Sequence, residues 1–211
     1  ILCEYGVGRG EVADCIISSV VPPVFNEVCR GAERVVGKRP MVVAPGLKTG
    51  LNIQMDVPSK VGSDRIVAVV AALDRYKPPL ILIDMGTATT IEVVTEGNHY
   101  IGGCIIPGVG VSLEAVTTQT AQLPGIQLGK PGKVIGKNTE DCMRSGVMYG
   151  AAAMLDGMLD RVEEELGRPA TAIATGGIAK LIVPLCRRRI TVDDGLLLKG
   201  LYILYQKNRK K

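Results

Sequence analysis

Residues 79–110 read PLILIDMGTATTIEVVTEGNHYIGGCIIPGVG, and this stretch decides the fold. It opens with the continuous apolar run LILI, which is typical of a strand buried on both faces, and the run ends at a single carboxylate, Asp84. Residues 89–94 and 100–106 predict two further strands, separated by the turn signal Glu96-Gly97-Asn98. We therefore predict a three-stranded meander with an acidic, threonine-rich turn between its first two strands.

This turn has two interpretations. Gly86 allows the chain to turn tightly, and the hydroxyl and backbone N–H groups of Thr87, Thr89 and Thr90 are suited to holding phosphate oxygens. The alternative is a plain hairpin in which Asp84 hydrogen-bonds its own backbone. The spacing alone does not decide between the two.

Composition and charge limit the classes of function. With 211 residues, 46% of them hydrophobic, the chain can form one large domain or two small ones. Because no run approaches the ~20 apolar residues of a membrane span, we expect a soluble, cytoplasmic protein. The net charge of +4 comes partly from the arginine run 187–189 and the lysine-rich tail 207–211, but aromatic residues are only 3% of the chain. We therefore do not expect nucleic-acid binding.

The cysteines and the single histidine argue against several chemistries. The six cysteines include no Cys-x-x-Cys pair and no histidine partner at zinc-site spacing, which predicts reduced, mostly buried thiols of an intracellular protein. His99 is the only histidine and falls in a predicted hairpin turn. A hydrolase built on a Ser-His-Asp or Cys-His arrangement is therefore not expected.

The first third of the chain alternates strand and helix, as an α/β sheet does. Residues 1–6 resemble the end of a helix, residues 13–21 and 41–43 predict strands, and Pro22 opens a helix that runs to about Gly37. Irregular chain then leads to a predicted helix that ends near Tyr76. We place the boundary between two domains after residue 77, giving domains 1–77 and 78–211.

The start of the helix that ends near Tyr76 carries a second ambiguous pattern. Ser63 or Asp64 is predicted to cap this helix, and Arg65 follows directly. One interpretation is structural, namely capping plus a surface ion pair. The other is functional: a carboxylate lies in a cleft beside a cation that receives an acidic substrate.

The second half continues with alternating helices and strands. Helices are predicted over residues 111–122, 178–185 and 195–205, and a long one from an Asn138-Thr139 cap to Leu166. Strands are predicted over residues 170–174 and 190–192. Gly176 and Gly177, between a strand and a helix, allow the backbone to approach a nucleotide.

This order of elements is similar to that of the acetate and sugar kinase, heat-shock ATPase and actin superfamily, whose members pair two actin-like (ribonuclease H-like) domains around an ATP cleft. Within it, the joint order of several motifs closely resembles the type III pantothenate kinase family, over essentially the whole chain. Those motifs are Gly62-Ser63-Asp64-Arg65, Asp84-Met85-Gly86-Thr87-Ala88-Thr89-Thr90, Gly102-Gly103, Pro107-Gly108, Gly136-Lys137-Asn138-Thr139, Ser145-Gly146, Thr175-Gly176-Gly177 and Leu198-Lys199-Gly200-Leu201.

The resemblance implies an activity and its requirements. The enzyme would phosphorylate pantothenate to 4′-phosphopantothenate with ATP, the first step of coenzyme A biosynthesis. It would use Mg²⁺ with the nucleotide and a monovalent cation, K⁺ or NH₄⁺. It would form a homodimer with the substrate site near the subunit interface, and would engage no nucleic acid and no membrane.

The resemblance also implies roles for individual residues. Asp64 would be the general base, and the substrate site would be lined by Gly62, Ser63, Asp64, Arg65 and Thr139. Asp84 would bind the cation, Thr87 would contact the ATP phosphates, and Gly176 and Gly177 would border the adenosine. The Arg65 guanidinium would match the pantothenate carboxylate and keep Asp64 ionised. Met55 stands where relatives usually carry a tyrosine that contacts the substrate.

One departure from the family pattern leaves an alternative open. Family members begin with a strand and an Asp-x-Gly-Asn-Thr turn, the first phosphate loop, and this motif is not in the 211 residues. Ile1 corresponds to a point some tens of residues into a family member. If the chain is the later part of a longer protein, we expect the kinase; if it is a true truncation, we expect little or no activity. The alternative is then a catalytically idle relative that acts as a ligand-binding or transcription accessory factor.

Overall fold

The structure of the chain is a computed structural model that describes residues 2–8 and 10–209, without the side chains of Leu2 and Cys3. A single 3-10 turn, Leu2–Tyr5, comes first. The main elements of the first part are β1 (Ile16–Ile17), α1 (Pro22–Val36), β2 (Met41–Val42), β3 (Asn52–Ile53) and α2 (Ser63–Arg75). Those of the second part are β4 (Leu80–Met85), β5 (Ala88–Thr95), β6 (His99–Pro107), α3 (Val109–Gln119), α4 (Thr139–Leu166), β7 (Thr171–Thr175), α5 (Ala179–Ile182), β8 (Thr191–Val192) and α6 (Leu196–Asn208).

A six-stranded mixed sheet forms the centre, in the order β3-β6-β5-β4-β7-β8. Strands β4, β5 and β6 are the predicted antiparallel meander. Strands β3, β7 and β8 pair in parallel with β6, β4 and β7 respectively. Strands β1 and β2 form a separate parallel pair. The predicted α/β class is therefore confirmed.

Strand β4 lies in the middle layer and is covered on both sides. Ile81 and Ile83 pack in one cluster with residues of α3, α4 and α5, whereas Leu80 and Leu82 pack in another with residues of α2 and α6. All four side chains are at most 1% exposed. Because successive side chains of a strand point to opposite faces, Asp84 shares the α2 face with Leu80 and Leu82.

Helices α2 and α6 are joined by an unusually close contact. A Cβ on Gly200 of α6 would lie 2.1 Å from the backbone oxygen of Val67 in α2, so the two helix backbones touch there. At the other end of α2, the buried Asp193 accepts from Lys199 of α6 at 3.0 Å and forms an ion pair with Arg75. These contacts hold α2, and the residues at its start, against the sheet.

Most predicted elements are confirmed, with two corrections. The strand predicted over residues 13–21 is only Ile16–Ile17, because the chain leaves the sheet at Ser18, whose hydroxyl donates to Ser63 Oγ at 2.8 Å. The helix predicted over 178–185 is a four-residue α5 followed by a 3-10 turn, because Pro184 has no backbone N–H to donate to the carbonyl oxygen four residues before it. Residue 1 of the first predicted helix lies outside the described residues.

The cysteine prediction is partly wrong. Cys15, Cys29, Cys104, Cys142 and Cys186 are free, but Cys142 is exposed and the other four are only half-buried. Within residues 2–8 and 10–209, no helix is long and apolar enough to cross a membrane.

Candidate functional site

Asp64 lies at the first turn of α2, where Gly62 is the N-cap residue. Its Oδ1 accepts a hydrogen bond from the Arg65 backbone N–H at 2.8 Å. A Cβ on Gly62 would lie 2.5 Å from that same oxygen, so the glycine leaves room for the carboxylate. One carboxylate oxygen is thus fixed, and Oδ2 remains to accept another proton or donor.

The capping prediction for this helix is wrong. Neither Ser63 nor Asp64 makes a side-chain cap, because Ser63 Oγ is engaged with Ser18 and the Asp64 carboxylate takes the adjacent N–H. The surface ion pair between Asp64 and Arg65 does not form either, because the Arg65 guanidinium bonds to Glu92 of β5.

The Arg65–Glu92 pair is bidentate and almost dry. Arg65 Nε donates to Glu92 Oε1 and Nη2 donates to Oε2, both at 2.7 Å. The Glu92 side chain is 1% exposed and that of Arg65 is 14% exposed. The Tyr100 hydroxyl of β6 also donates to Glu92 Oε2, and the Tyr100 ring lies 5.9 Å from the guanidinium carbon. We call these three side chains the Arg65–Glu92–Tyr100 cluster.

The cluster shifts the pKa values of Arg65 and Tyr100. The hydrogen bond to Glu92 raises the pKa of Arg65, and burial together with the Glu92 charge raises the pKa of the Tyr100 hydroxyl. The guanidinium charge is therefore compensated by Glu92 and is not directed at Asp64, contrary to the expectation from the sequence. Sequence reasoning missed Glu92, although a lone carboxylate among Ile91, Val93 and Val94 in a buried strand is a signal that could have found it.

Asp84 ends the central strand on the same face. In the sheet register it lies between Thr90 of β5 and Thr175 of β7. Its pKa is raised, first by burial and then by the negative charges of Asp64 and Glu92. The three carboxylates therefore lie within electrostatic range, and a cation bound there would relieve their repulsion.

Gly176 completes this corner of the site. It follows β7 with a φ of +97°, and a Cβ there would lie 2.7 Å from Asp84 Oδ1 and 2.6 Å from the backbone oxygen of Met85. A carboxylate oxygen and a carbonyl oxygen thus converge on a space that only glycine leaves open. Gly177, by contrast, has no atom within 4 Å of its Cβ position.

Thr87 lies exposed in the turn between β4 and β5, beside the start of α3. Its carbonyl oxygen accepts from the Gly108 N–H at 3.1 Å, and a Cβ on Gly108 would lie 2.3 Å from that oxygen. The turn and the N-terminus of α3, with its positive dipole end, are therefore adjacent. Of the two interpretations of the turn, this packing favours an anion-binding loop over a plain hairpin.

Two candidates lie apart from this corner. Thr139 is the first residue of α4, which packs on the face of the sheet opposite to α2, and no hydrogen bond in the described part of the chain links it to Asp64 or Arg65. Met55 has its sulfur 3.7 Å from the Cβ position of Gly102, two residues along β6 from Tyr100.

Helix α4 engages one side chain and two backbone N–H groups of the arginine run 187–189. Arg188 pairs with Asp160 and Glu163, and the backbone N–H groups of Arg187 and Arg188 donate to Asp156 at 2.9 and 3.0 Å. The lysine-rich tail falls partly outside the described residues. Over residues 2–8 and 10–209, no group of three or more histidine, cysteine or acidic side chains is arranged to hold a metal ion.

Comparisons with known proteins identify relatives of the chain. A family model for type III pantothenate kinase matches residues 3–161. A type III pantothenate kinase from Bacillus cytotoxicus is 45% identical over 203 residues, which cover 96% of this chain and 78% of the relative.

Solved structures share the fold at low identity. A Campylobacter jejuni protein described as a Baf family transcriptional activator is 17% identical, with a TM-score of 0.63, over 92% of this chain and 83% of that chain. Component A of the (R)-2-hydroxyglutaryl-CoA dehydratase from Acidaminococcus fermentans is 12% identical, with a TM-score of 0.51, over 97% and 80%. These likenesses agree with the actin-like fold expected from the sequence.

We predict that Gly176→Ala damages both stability and the site. The positive φ and the two short contacts should cost about 1–3 kcal/mol, and Asp84 should be displaced. Gly177→Ala is the matched control and should melt like the wild type. Thermal melting of both variants checks this, and equal melting temperatures would contradict the assigned packing.

We also predict a pH-dependent stabilisation by Asp84→Asn. A carboxyl with a raised folded-state pKa contributes stability below its unfolded value near 3.8 and loses it as the pH rises through the raised value. The variant should therefore melt above the wild type at pH 7 in the absence of added cations, and the difference should shrink towards pH 4. Asp74→Asn, at an exposed position of α2, controls for removal of a carboxylate. A difference in melting temperature between the variant and the wild type that does not depend on pH would contradict a raised pKa for Asp84.

Proposed function

This chain belongs to the type III pantothenate kinase family, and we propose that it transfers the γ-phosphoryl group of ATP to pantothenate, giving 4′-phosphopantothenate in the first step of coenzyme A biosynthesis. The observation that carries the proposal is the convergence of Asp64, Asp84 and Gly176 from three separate elements at one end of the central strand. The family assigns its base, its cation ligand and part of its nucleotide site to these same motifs.

Asp64 is the general base in this proposal. Phosphoryl transfer depends mostly on positioning and on neutralising charge, with one acceptor for the proton of the attacking hydroxyl. The Arg65 N–H holds Asp64 Oδ1 and leaves Oδ2 for the pantothenate hydroxyl. Gly62 and Ser63 line the substrate site beside it, Arg65 contributes the N–H groups that Glu92 does not use, and Met55 borders the site from the β6 side.

The nucleotide binds on the Thr87 side of Asp84. The Thr87 hydroxyl, the turn that carries it and the N-terminus of α3 offer donors and a positive dipole end to the phosphates. Mg²⁺ enters with the phosphates, since this ion keeps several waters and needs few protein ligands. Gly176 and Gly177 let the backbone approach the adenosine.

A monovalent cation, K⁺ or NH₄⁺, fits beside Asp84. Asp84 Oδ1 and the Met85 carbonyl oxygen converge there. The pKa of Asp84 is raised first by burial and then by the charges of Asp64 and Glu92, so a cation beside it would stabilise the carboxylate. Bound at this point, the cation would keep Asp84 ionised and offset the charges of Asp64 and Glu92 near the phosphates.

We propose a homodimer as the active form. Helices α3 and α4 border an apolar groove of about 480 Å³, and Ile105 and Val116 near it are 65% and 41% exposed. A second copy is the partner that the family resemblance implies. Because Thr139 lies on the opposite layer from Asp64 of its own chain, we propose that it reaches the pantothenate of the partner's site.

We propose that residues 1–77 form the first domain and residues 78–211 the second.

The alternative function, an accessory role in transcription, is not favoured. The likeness to the Campylobacter jejuni protein, at 17% identity, shows the fold alone. Of the Arg187–Arg189 run, which would be the nucleic-acid contact, the Arg188 side chain is paired with Asp160 and Glu163 of α4.

The proposal predicts ATP- and pantothenate-dependent formation of 4′-phosphopantothenate by the full-length protein, stimulated by potassium. Asp64→Asn should keep the fold and lower kcat about 10²–10⁴-fold, the range for a lost acid–base group. Product formation with and without potassium, together with thermal melting, checks this. Wild-type-like turnover in Asp64→Asn would contradict the base assignment, and no turnover by the wild type would contradict the function.

Subunit mixing tests the position of Thr139. If Thr139 serves the partner's site, a mixed dimer of Asp64→Asn and Thr139→Ala subunits contains one site with both residues intact. Co-refolded or co-expressed mixtures should therefore be more active than either variant alone. Activity no higher than the mean of the two parent variants would place Thr139 in its own subunit's site or outside the site.

A further inference from the structure

We propose that Glu92 is a positioning residue for pantothenate: it holds the Arg65 guanidinium in one orientation beside Asp64, so that the remaining N–H groups of Arg65 face the substrate. The inference rests on the proposed function and adds a residue to it. It comes from the geometry of the Arg65–Glu92–Tyr100 cluster.

The cluster fixes the guanidinium in position and in plane. Two parallel hydrogen bonds of 2.7 Å, from Nε to Oε1 and from Nη2 to Oε2, define the plane and the direction of the fork. The Tyr100 hydroxyl holds the second carboxylate oxygen, and the Tyr100 ring lies against the cation. Arg65 comes from α2, whereas Glu92 and Tyr100 come from β5 and β6, so the sheet sets the orientation of a helix side chain.

Counting donors shows what is left for a ligand. A guanidinium has five N–H groups, and Glu92 uses the Nε–H and one Nη2–H. The two Nη1–H groups and the second Nη2–H have no recorded acceptor within the described part of the chain. The second Nη2–H and the Nη1–H beside it form the end-on edge of the guanidinium, which matches two acceptor oxygens of an acidic, amide-containing substrate.

The charge of the pair matters for the base next to it. An uncompensated cation beside a carboxylate favours its ionised form and so weakens it as a base. Because the buried Glu92 already balances the charge of Arg65, the guanidinium offers directed donors as part of a neutral pair. A buried ion pair stabilises a fold little compared with apolar side chains of similar volume, so stability alone gives no reason for the pair at this place.

A double-mutant cycle tests the inference on the full-length protein. The four proteins are the wild type, Glu92→Gln, Arg65→Met and the double variant. Glu92→Gln should lower kcat/KM for pantothenate about tenfold or more, with KM for ATP unchanged within about twofold. In the Arg65→Met background the same change should cost less than about twofold, since a residue that acts through another has no separate effect.

Two variants guard against loss of the fold. Glu92→Asp keeps the charge but shortens the side chain, so one hydrogen bond to Arg65 is lost; it should show an intermediate drop in kcat/KM for pantothenate only. Tyr100→Phe leaves the ion pair intact and should stay within about threefold of the wild type. Thermal melting identifies variants that do not fold, and if Arg65→Met is one of them, Glu92→Asp decides.

The outcomes separate this inference from the proposed function. Equal losses from Glu92→Gln in both backgrounds, or a change in ATP affinity in place of the pantothenate effect, would overturn the positioning role. The dissociation constant of pantothenate, measured by calorimetry for the same four proteins, tests the cycle without turnover. If the wild type phosphorylates pantothenate and Glu92→Gln has the same kcat/KM, only the positioning role of Glu92 is overturned. If the wild type neither binds nor phosphorylates pantothenate, the positioning role and the proposed function are both overturned.

Discussion

The structure depends on burying one strand on both faces. The five apolar side chains of β4, Met85 included, each contribute about 1.5–3 kcal/mol when withdrawn from water, and they do so only if helices cover both sides of the sheet. The layer of α3, α4 and α5 and the layer of α2 and α6 meet that requirement. Where the apolar run ends, the helices can no longer exclude polar groups, and Asp84, the Thr87 turn and Gly176 gather at that end.

This arrangement concentrates negative charge at the functional end. Asp84 has a raised pKa because it is half-buried and close to Asp64 and Glu92. Of these three carboxylates, only Glu92 forms an ion pair within the described part of the chain, and its partner is Arg65. Losing one partner of a buried ion pair typically costs about 3–5 kcal/mol of folding stability. The half-buried charge of Asp84 lowers the stability of the fold, as is common at sites that bind cations and phosphates.

The sequence predicted the meander, the long α4 with its Asn138 cap and the positions of Asp64, Asp84 and Gly176, because buried runs, caps and paired glycines are local signals. It did not predict the partner of Arg65. Glu92 is 27 residues away along the chain, and the pairing depends on how α2 docks on the sheet. The short β1 was overestimated for a related reason, since its polar end bonds to Ser63 of a distant helix and not to a neighbouring strand.

The contact of Gly200 with Val67 has a mechanical meaning. No side chain separates the backbones of α2 and α6 at this point, so the two helices cannot slide past each other without a clash. We therefore expect them to move together as one rigid unit. Any closure of the site that brings Asp64 closer to the phosphates must then carry the C-terminal helix with it. The exposed Leu198 and Tyr202, on the outer surface of α6, would travel with that motion. Binding at the reactive end of the sheet is therefore mechanically linked to the last helix of the chain.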